Sequence, residues 1–271
     1  MFNGKRVIAV IFAGGVGKRM SELQGIANKG IEAKQNEIPK QFFIINDKPV
    51  IVHTIRIFEK HPDVDAVYVV IHKDFVDYMK DLCKEHHLSK VVAITKGGET
   101  GQDSIYNGLK LAEENEDENS IVLIHDGVRP NITKTTIDNV IATCDKFGNG
   151  ITSTSAFETI FSSTDGEVIQ DIPDRKNVYC GQAPQAFNLK EIIDAHEQIR
   201  KTNPEYTDIV DSATLFNKLG KKTYLSKGNR GNIKITTIED LYLLRAYIRF
   251  KEDVETFQNG EQILKQYTKK D

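Results

Sequence analysis

Ala13-Gly14-Gly15-Val16-Gly17-Lys18-Arg19-Met20 is the stretch that decides how the chain is read. Directly before it stands Val7-Ile8-Ala9-Val10-Ile11-Phe12, an apolar run with the composition of a strand buried on both faces. Three glycines then permit a tight turn and let backbone N–H groups approach a ligand closely. Two cations, Lys18 and Arg19, follow at once. Strand, glycine loop and basic exit together suit the phosphates of a nucleotide. Two familiar nucleotide loops are excluded by spacing. A Walker loop needs glycine where Phe12 stands and a hydroxyl residue where Arg19 stands. The dinucleotide fingerprint needs Gly or Ala where Met20 stands. A glycine-rich turn with solvated cations would read the same way locally, so the rest of the chain must decide.

Working outward, Val50, Ile51, Ile55 and Phe58 mark one face of a helix over 49–60. A strand at 67–71, a helix over 74–87 and a strand at 91–94 follow. A helix opens near Asp103-Ser104, either of which would cap it. The strand at 120–124 runs into His125-Asp126-Gly127-Val128-Arg129-Pro130. Continuously apolar strands alternating with helices predict an α/β fold, a Rossmann-like, mostly parallel sheet with helices on both faces. Ligands of such sheets sit at the carboxyl ends of the strands. The glycine loop, Gly97-Gly98 and Asp126 all fall there.

Past Gly150 the pattern changes. Strand-like runs at 156–161 and 167–172 flank Ser162-Ser163-Thr164-Asp165-Gly166, which predicts a protruding β-hairpin arm at about 155–175. Helices are expected over 189–200 and 211–219, the second stopped by Gly220, with a late strand at 223–225. The strand-like segment 232–237, which carries Lys234, leads into a last helix with Thr237 and Asp240 as a capping box. One domain over 1–250, arm included, and a charged tail over 251–271 make up the expected organisation.

No apolar run approaches the twenty residues of a membrane span. Met1-Phe2-Asn3-Gly4-Lys5-Arg6 runs straight into a core strand, so no signal peptide is expected. The net charge of −3, with both signs spread along the chain, disfavours nucleic acid as a partner. Cys83, Cys144 and Cys180 are odd in number and far apart, which fits neither a disulfide framework nor a zinc site. A reduced, cytoplasmic enzyme is the expectation, with neither membrane nor nucleic acid as a partner.

Gly15-Val16-Gly17-Lys18-Arg19-Met20, followed by Pro39-Lys40-Gln41-Phe42, resembles the signature of the sugar-nucleotide pyrophosphorylases, in particular their cytidylyltransferase branch. The run from His125 to Pro130 is similar to the His-Asp-x-x-Arg-Pro pattern of the sugar-alcohol phosphate cytidylyltransferases. Gly97-Gly98, Ser104 and Asn232-Ile233-Lys234-Ile235-Thr236-Thr237 match further blocks, so the resemblance covers nearly the whole chain. It implies a nucleotidyltransferase fold in which Ala13, Gly14, Gly15, Gly17, Gly98 and Ser104 hold CTP. Arg19 and Lys40 would neutralise its β- and γ-phosphates, and Lys234 the α-phosphate; these three are the implied catalytic residues. Asp126 and Arg129 would lie at the acceptor, a sugar-alcohol phosphate. In the family the arm is exchanged across a homodimer, which implies that Arg175, with Thr159 beside it, serves the partner's acceptor site.

Read locally, Asp126 caps a turn or pairs with Arg129; beside a bound triphosphate it becomes a natural ligand for Mg²⁺, a hard cation. His125 reads as a structural hydrogen-bonder and His86-His87 as helix surface. Two relatives compete: one makes CDP-methylerythritol for isoprenoid synthesis, the other CDP-ribitol for teichoic acid or capsule. The segment 167–188 looks closely like the ribitol 5-phosphate enzymes. Three departures accompany the resemblance. Ala183 stands where the family has threonine, Gly101 where it has arginine, and Glu22 to Glu37 is an extra polar, helix-prone stretch read as a flap. A dinucleotide-dependent oxidoreductase is disfavoured because Ile71-His72-Lys73 ends the second strand without the ribose-binding acid. A non-catalytic nucleotide-binding protein would have no need of Arg19, Lys40, Asp126 and Lys234 together.

Overall fold

The computed structural model describes residues 1–15 and 39–267. Central in it is β1 (Val7–Ala13), which pairs in parallel with β4 (Ala66–Ile71) on one side and β6 (Ile121–Asp126) on the other. Next to β4 lies β5 (Val91–Lys96), and beyond β6 come β8 (Tyr179–Asn188), β7 (Asn149–Ser155) and β9 (Leu225–Lys227). All of this seven-stranded sheet is parallel except β8, which runs antiparallel between β6 and β7. A two-stranded ladder, β2 (Ile44–Ile45) with β3 (Lys48–Pro49), stands apart from it.

Alternation along β1 divides the core. Val7, Ala9 and Ile11 pack on one face with α1 (Val50–Lys60), α2 (Val76–Glu85) and α4 (Lys134–Phe147). Ile8 and Val10 pack on the other with α3 (Gly101–Glu113), α5 (Leu189–Arg200) and α6 (Ser212–Lys218). Both faces are dry, which explains why the strands read as continuous apolar runs. A third cluster joins Val50 and Val128 to Ile235 and to Leu241 and Leu244 of α7 (Ile238–Tyr267). Among the described residues no helix is long and apolar enough to cross a membrane.

Several expectations are corrected. The helix expected near Asp103-Ser104 begins at Gly101, and its cap is Thr100. The Thr100 hydroxyl accepts from the Asp103 N–H while Asp103 accepts from the Thr100 N–H, a reciprocal box that leaves Ser104 free for the loop. Helix α4 has no counterpart in the sequence reading, although Ile137, Val140, Ile141 and Cys144 carry a helical period. Residues 232–237 form no strand; Ile235 donates to the Val128 carbonyl at 3.0 Å and the segment is otherwise irregular. At the start of α7, Asp240 accepts from the Thr237 N–H, the carboxylate half of the expected box, and it also accepts from the Thr236 N–H and hydroxyl.

The arm protrudes between β7 and β8, but it is not a paired hairpin. One bridge, Ser162 with Asp171, replaces the expected ladder. Its tip is tied by Asp165, which accepts from the Ser163 hydroxyl and from the Glu167 and Val168 N–H groups. Those donors hold the Asp165 carboxyl down to about 2. Residues 157–172 are exposed throughout, so among the described residues the chain leaves both runs largely uncovered, and a hairpin alone is marginal in water.

Candidate active site

The order of strands reverses direction of growth at β1: β4 was added on one side and β6 on the other. A crevice therefore opens beyond the carboxyl ends of β1 and β6, at the switch point where open α/β sheets bind ligands. Phe12 and Asp126 are partners in the β1–β6 register, which puts Asp126 level with the start of the glycine loop. Across the crevice, the short 3-10 turn Lys40–Phe42 is fastened to that loop by Gln41. Its buried amide donates to the Ala13 carbonyl at 2.8 Å and to the Gly15 carbonyl at 3.2 Å.

One part of the crevice is a cavity of about 470 Å³ bordered by Gly14, Gly15, Lys40, Gly98, Ser104 and Lys234. Its wall depends on absent side chains. A Cβ on Gly98 would lie 2.3 Å from the Asp103 Cβ, and one on Gly14 would lie 2.8 Å from the Ser104 hydroxyl. The Ser104 hydroxyl is occupied within the loop, accepting from the Gly98 N–H at 3.1 Å and donating to the Thr100 carbonyl at 3.0 Å. Ser104 thus shapes the loop from beneath. Lys40 leans across the crevice, donating from Nζ to the Ile235 carbonyl at 2.8 Å.

Charge gathers at Asp126. Lys234 Nζ lies 2.6 Å from its Oδ1 and Arg129 Nε lies 2.7 Å from its Oδ2. Burial alone would raise this carboxyl, but the two cations outweigh it and hold the group below the ordinary value. Arg129 also donates to the Asn232 carbonyl at 2.9 Å, tying the β6 end to the segment that carries Lys234. His125 is the structural residue expected of it. Fully buried, with Nε2 3.2 Å from the Arg129 carbonyl, it is pushed down to about 4 by desolvation and stays neutral at pH 7.

A second cavity, of about 370 Å³, continues from the first. Phe12, Thr100, Gly101, Asp126 and Lys234 border both. The structure thus brings Ala13, Gly14, Gly15, Lys40, Gly98, Ser104, Asp126, Arg129 and Lys234 to one crevice. Thr159 and Arg175 are not there: both are exposed on the arm, where Arg175 donates to the Phe157 carbonyl at 3.3 Å. Gly17, Arg19 and the flap at 22–37 lie outside the described residues. Sequence reasoning missed Gln41 as a fastener; its place inside the Pro39-Lys40-Gln41-Phe42 block was the available signal. It also missed the second cavity, whose walls come from segments distant in the chain.

Among the described residues one group of three side chains could hold a metal ion: His61, Asp63 and Asp138. Both ring nitrogens of that histidine are engaged, Nε2 with Asp138 and Nδ1 with the Asp63 N–H, and Lys134 pairs with the same Asp138. The crevice itself offers the Asp126 carboxylate.

Backbone cradles beside fixed cations, opening on a second cavity that shares its charged wall, suit transfer of a nucleotidyl group from one phosphate to another. The class is an α/β nucleotidyltransferase. Within it the chain belongs to the 2-C-methyl-D-erythritol 4-phosphate cytidylyltransferase (IspD) family, whose model matches residues 7–250, and it is a CTP-dependent enzyme. Among its relatives is the ribitol-5-phosphate cytidylyltransferase of Streptococcus agalactiae serotype III (strain NEM316). That protein is 39% identical over 250 residues, 92% of this chain and 98% of the relative. The 2-C-methyl-D-erythritol 4-phosphate cytidylyltransferase of Clostridium botulinum (strain Langeland) is 34% identical over 96% of this chain and 97% of its own. A crystal structure of 4-diphosphocytidyl-2C-methyl-D-erythritol synthase from Anaerococcus prevotii DSM 20548 superposes with a TM-score of 0.74. It is 26% identical and covers 91% of this chain and 97% of the other.

Proposed function

We propose that the protein transfers a cytidylyl group from CTP to D-ribitol 5-phosphate, giving CDP-ribitol and pyrophosphate. The observation that carries the choice of acceptor is the 39% identity, over almost the full length of both chains, to a ribitol-5-phosphate cytidylyltransferase. A phosphate oxygen of ribitol 5-phosphate attacks the α-phosphorus of CTP. The bond from that phosphorus to the oxygen bridging to the β-phosphate breaks, and pyrophosphate leaves with the electron pair. No general base is needed, because a phosphate monoester with a second pKa near ~6 is largely dianionic at pH 7. Two anions must nevertheless meet. Lys234, held at the wall common to both cavities, would take the charge that develops on the α-phosphate, while Arg19 and Lys40 hold the β- and γ-phosphates.

Mg²⁺ is part of the proposal. This cation usually takes one or two protein carboxylates and fills its remaining positions with water and substrate phosphates. Asp126 fits that demand: each of its oxygens accepts from one cation and keeps a lone pair for a further ligand. Asp126 would hold an ion delivered with the triphosphate, which would neutralise charge on the phosphate oxygens.

The arm belongs to the same reading. Ile160, Phe161, Val168 and Ile169 are exposed on it, an apolar surface that a twofold-related arm would cover. A homodimer so formed would bring Arg175 and Thr159 to the partner's acceptor. Dependence on CTP fits work in the cytoplasm, and the product fits the making of teichoic acid or capsule.

Pyrophosphate release tests the reading. Turnover with CTP and ribitol 5-phosphate should exceed turnover with 2-C-methyl-D-erythritol 4-phosphate, and ATP should replace CTP poorly. A preference for the methylerythritol substrate would move the assignment to the other relative. Comparable use of ATP would sink the cytidylyl specificity.

A further inference from the structure

The second cavity is built mainly from three segments: the start of α3, the inner half of β8, and the 205–212 stretch that leads into α6. Its floor is apolar, with Phe12, Ile105, Ile124 and Ile209. Three side chains on its wall, Gln102, Gln182 and Ser212, carry a buried polar atom without a partner, against the rule that such groups are paired. Of these, Gln102 and Ser212 are the buried residues. Gln102 is 4% exposed and its Oε1 has no hydrogen-bond partner; Ser212 is 1% exposed and its Oγ has none either. Their neighbours show that pairing within the protein is available at this depth. Gln185 donates to Asp211 at 2.7 Å and accepts from the Ala213 N–H at 3.1 Å. Asp211 also accepts from the Thr214 N–H and hydroxyl. Gln102 and Ser212 border the same cavity, and their oxygens are left over.

Such groups destabilise a fold unless something else satisfies them. The cavity's position names the candidate. It meets the nucleotide cavity at Asp126 and Lys234, where the α-phosphorus must react, and it extends away from the glycine loop. An acceptor whose phosphate reacts at that wall has its carbon chain directed into this cavity, and about 370 Å³ is ample for a five-carbon polyol. A hydroxyl both donates and accepts, so it can give a hydrogen bond to the Gln102 oxygen and exchange one with the Ser212 hydroxyl.

We propose that Gln102 and Ser212 read the hydroxyls of the acceptor's polyol chain and so select a polyol phosphate over a less hydroxylated one. The inference rests on the polyol phosphate acceptor argued above, and adds residues of this chain's own body to those of the arm.

The test compares wild type, Gln102→Leu and Ser212→Ala with CTP and ribitol 5-phosphate, and with glycerol 3-phosphate as the shorter acceptor. Each substitution should raise the KM for ribitol 5-phosphate about three- to tenfold, the value of one hydrogen bond, with the KM for CTP unchanged. The preference for ribitol 5-phosphate over glycerol 3-phosphate should shrink by the same factor. Thermal denaturation without ligand adds a readout that a structural role would move the other way. Removing an unpaired buried polar atom should leave Tm unchanged or raise it. Should Gln102→Leu fail to fold, Gln102→Asn withdraws the amide by one methylene and carries the same expectation. Wild type that does not turn over ribitol 5-phosphate would overturn the acceptor assignment and this inference with it. Wild type that does, with variants keeping both its KM and its preference, would overturn this inference alone.

Discussion

Lys234 Nζ rests 2.6 Å from Asp126 Oδ1, and so joins an irregular segment just before α7 to the end of a central strand. The two residues lie more than a hundred positions apart in the chain, and the pair is what fixes the cation at the common wall of the two cavities. Asp126 is 9% exposed in its side chain and Lys234 41%, so the carboxylate is the buried anchor and the ammonium its half-exposed head. A lysine held this way is ordered before substrate arrives. Such preorganisation makes a charge worth more to a transition state than to a ground state.

Replacing that lysine should therefore separate chemistry from binding. Lys234→Ala should lower kcat by about 10²–10³-fold, the usual loss of one preorganised group facing developing charge. The KM for CTP should change far less, since Lys40 and the glycine loop remain. Steady-state kinetics with CTP varied at saturating acceptor checks it. An unchanged kcat with only a raised KM for CTP would remove the role.

Much of this frame was legible in the chain. The apolar strands, their alternation with helices, and the glycine loop, Gly97-Gly98 and Asp126 at the strand ends all follow from patterns within about a dozen residues. Local capping chemistry was misread because Thr100, Asp103 and Ser104 are all plausible caps and only the backbone angles choose among them. The Lys234–Asp126 contact and the Gln41 bridge were invisible for a different reason. They are long-range pairings set by how β6, the 40–42 turn and the start of α7 pack, and no local period encodes that. The arm failed in the opposite direction: strand-like runs were present, but a strand needs a partner surface, and the described residues leave both runs exposed.

Acid should expose the anchor. The Asp126 carboxyl sits below its ordinary value in the folded protein, so the unfolded chain takes up the proton first as pH falls. Its contribution to stability is complete above the unfolded value, near ~4, and is lost as pH drops through the depressed folded value. Asp126→Asn should cost about 3–5 kcal/mol at pH 7, because it leaves two cations facing a neutral group. That gap from wild type should narrow steadily below pH ~4. Urea unfolding across this range measures it, and a gap that stays constant would contradict the pairing.

Buried histidines act over a higher window. His125 is pushed down to about 4 and His196 to about 3, both by burial. Below the ordinary histidine value the unfolded chain binds protons that these folded sites refuse. Stability should fall by about 1.4 kcal/mol per pH unit for each of them between pH ~6.5 and ~4. NMR titration of the folded protein should show neither ring protonating above pH ~5. A ring that titrated near pH ~6.5 in the native state would end the claim for that residue.

Gly98 gives a steric prediction. A methyl group there meets the Asp103 Cβ at 2.3 Å, and Asp103 is locked in its box with Thr100, so the loop itself must move. Gly98→Ala should raise the KM for CTP by at least about tenfold and cost about 1–3 kcal/mol of stability, in the range of overpacked sites. Gly181→Ala, where a Cβ meets nothing within 4 Å, is the control and should match wild type in CTP use. Equal behaviour of the two variants would show that the loop does not depend on the close approach.

The arm can be tested by mixing protomers. Within its own chain Arg175 donates to the Phe157 carbonyl, and Arg230 stacks over the Phe157 ring at 4.4 Å, so the arm's base is braced while its apolar tip stays bare. If a twofold dimer covers the tip, each Arg175 serves the partner's acceptor. Lys234, by contrast, serves the crevice of its own chain. Arg175→Ala and Lys234→Ala homodimers should each be nearly inactive. A mixed dimer places the intact Arg175 of one protomer at the intact Lys234 of the other, which restores one site in two. After subunit exchange of equal amounts, half of the dimers are mixed, so activity should return to about a quarter of wild type. If Arg175 instead served its own chain, every site in the mixture would lack one of the two residues and no activity would return. Sedimentation at the assay concentration completes the test, since a monomer that retains full activity would exclude exchange of the arm.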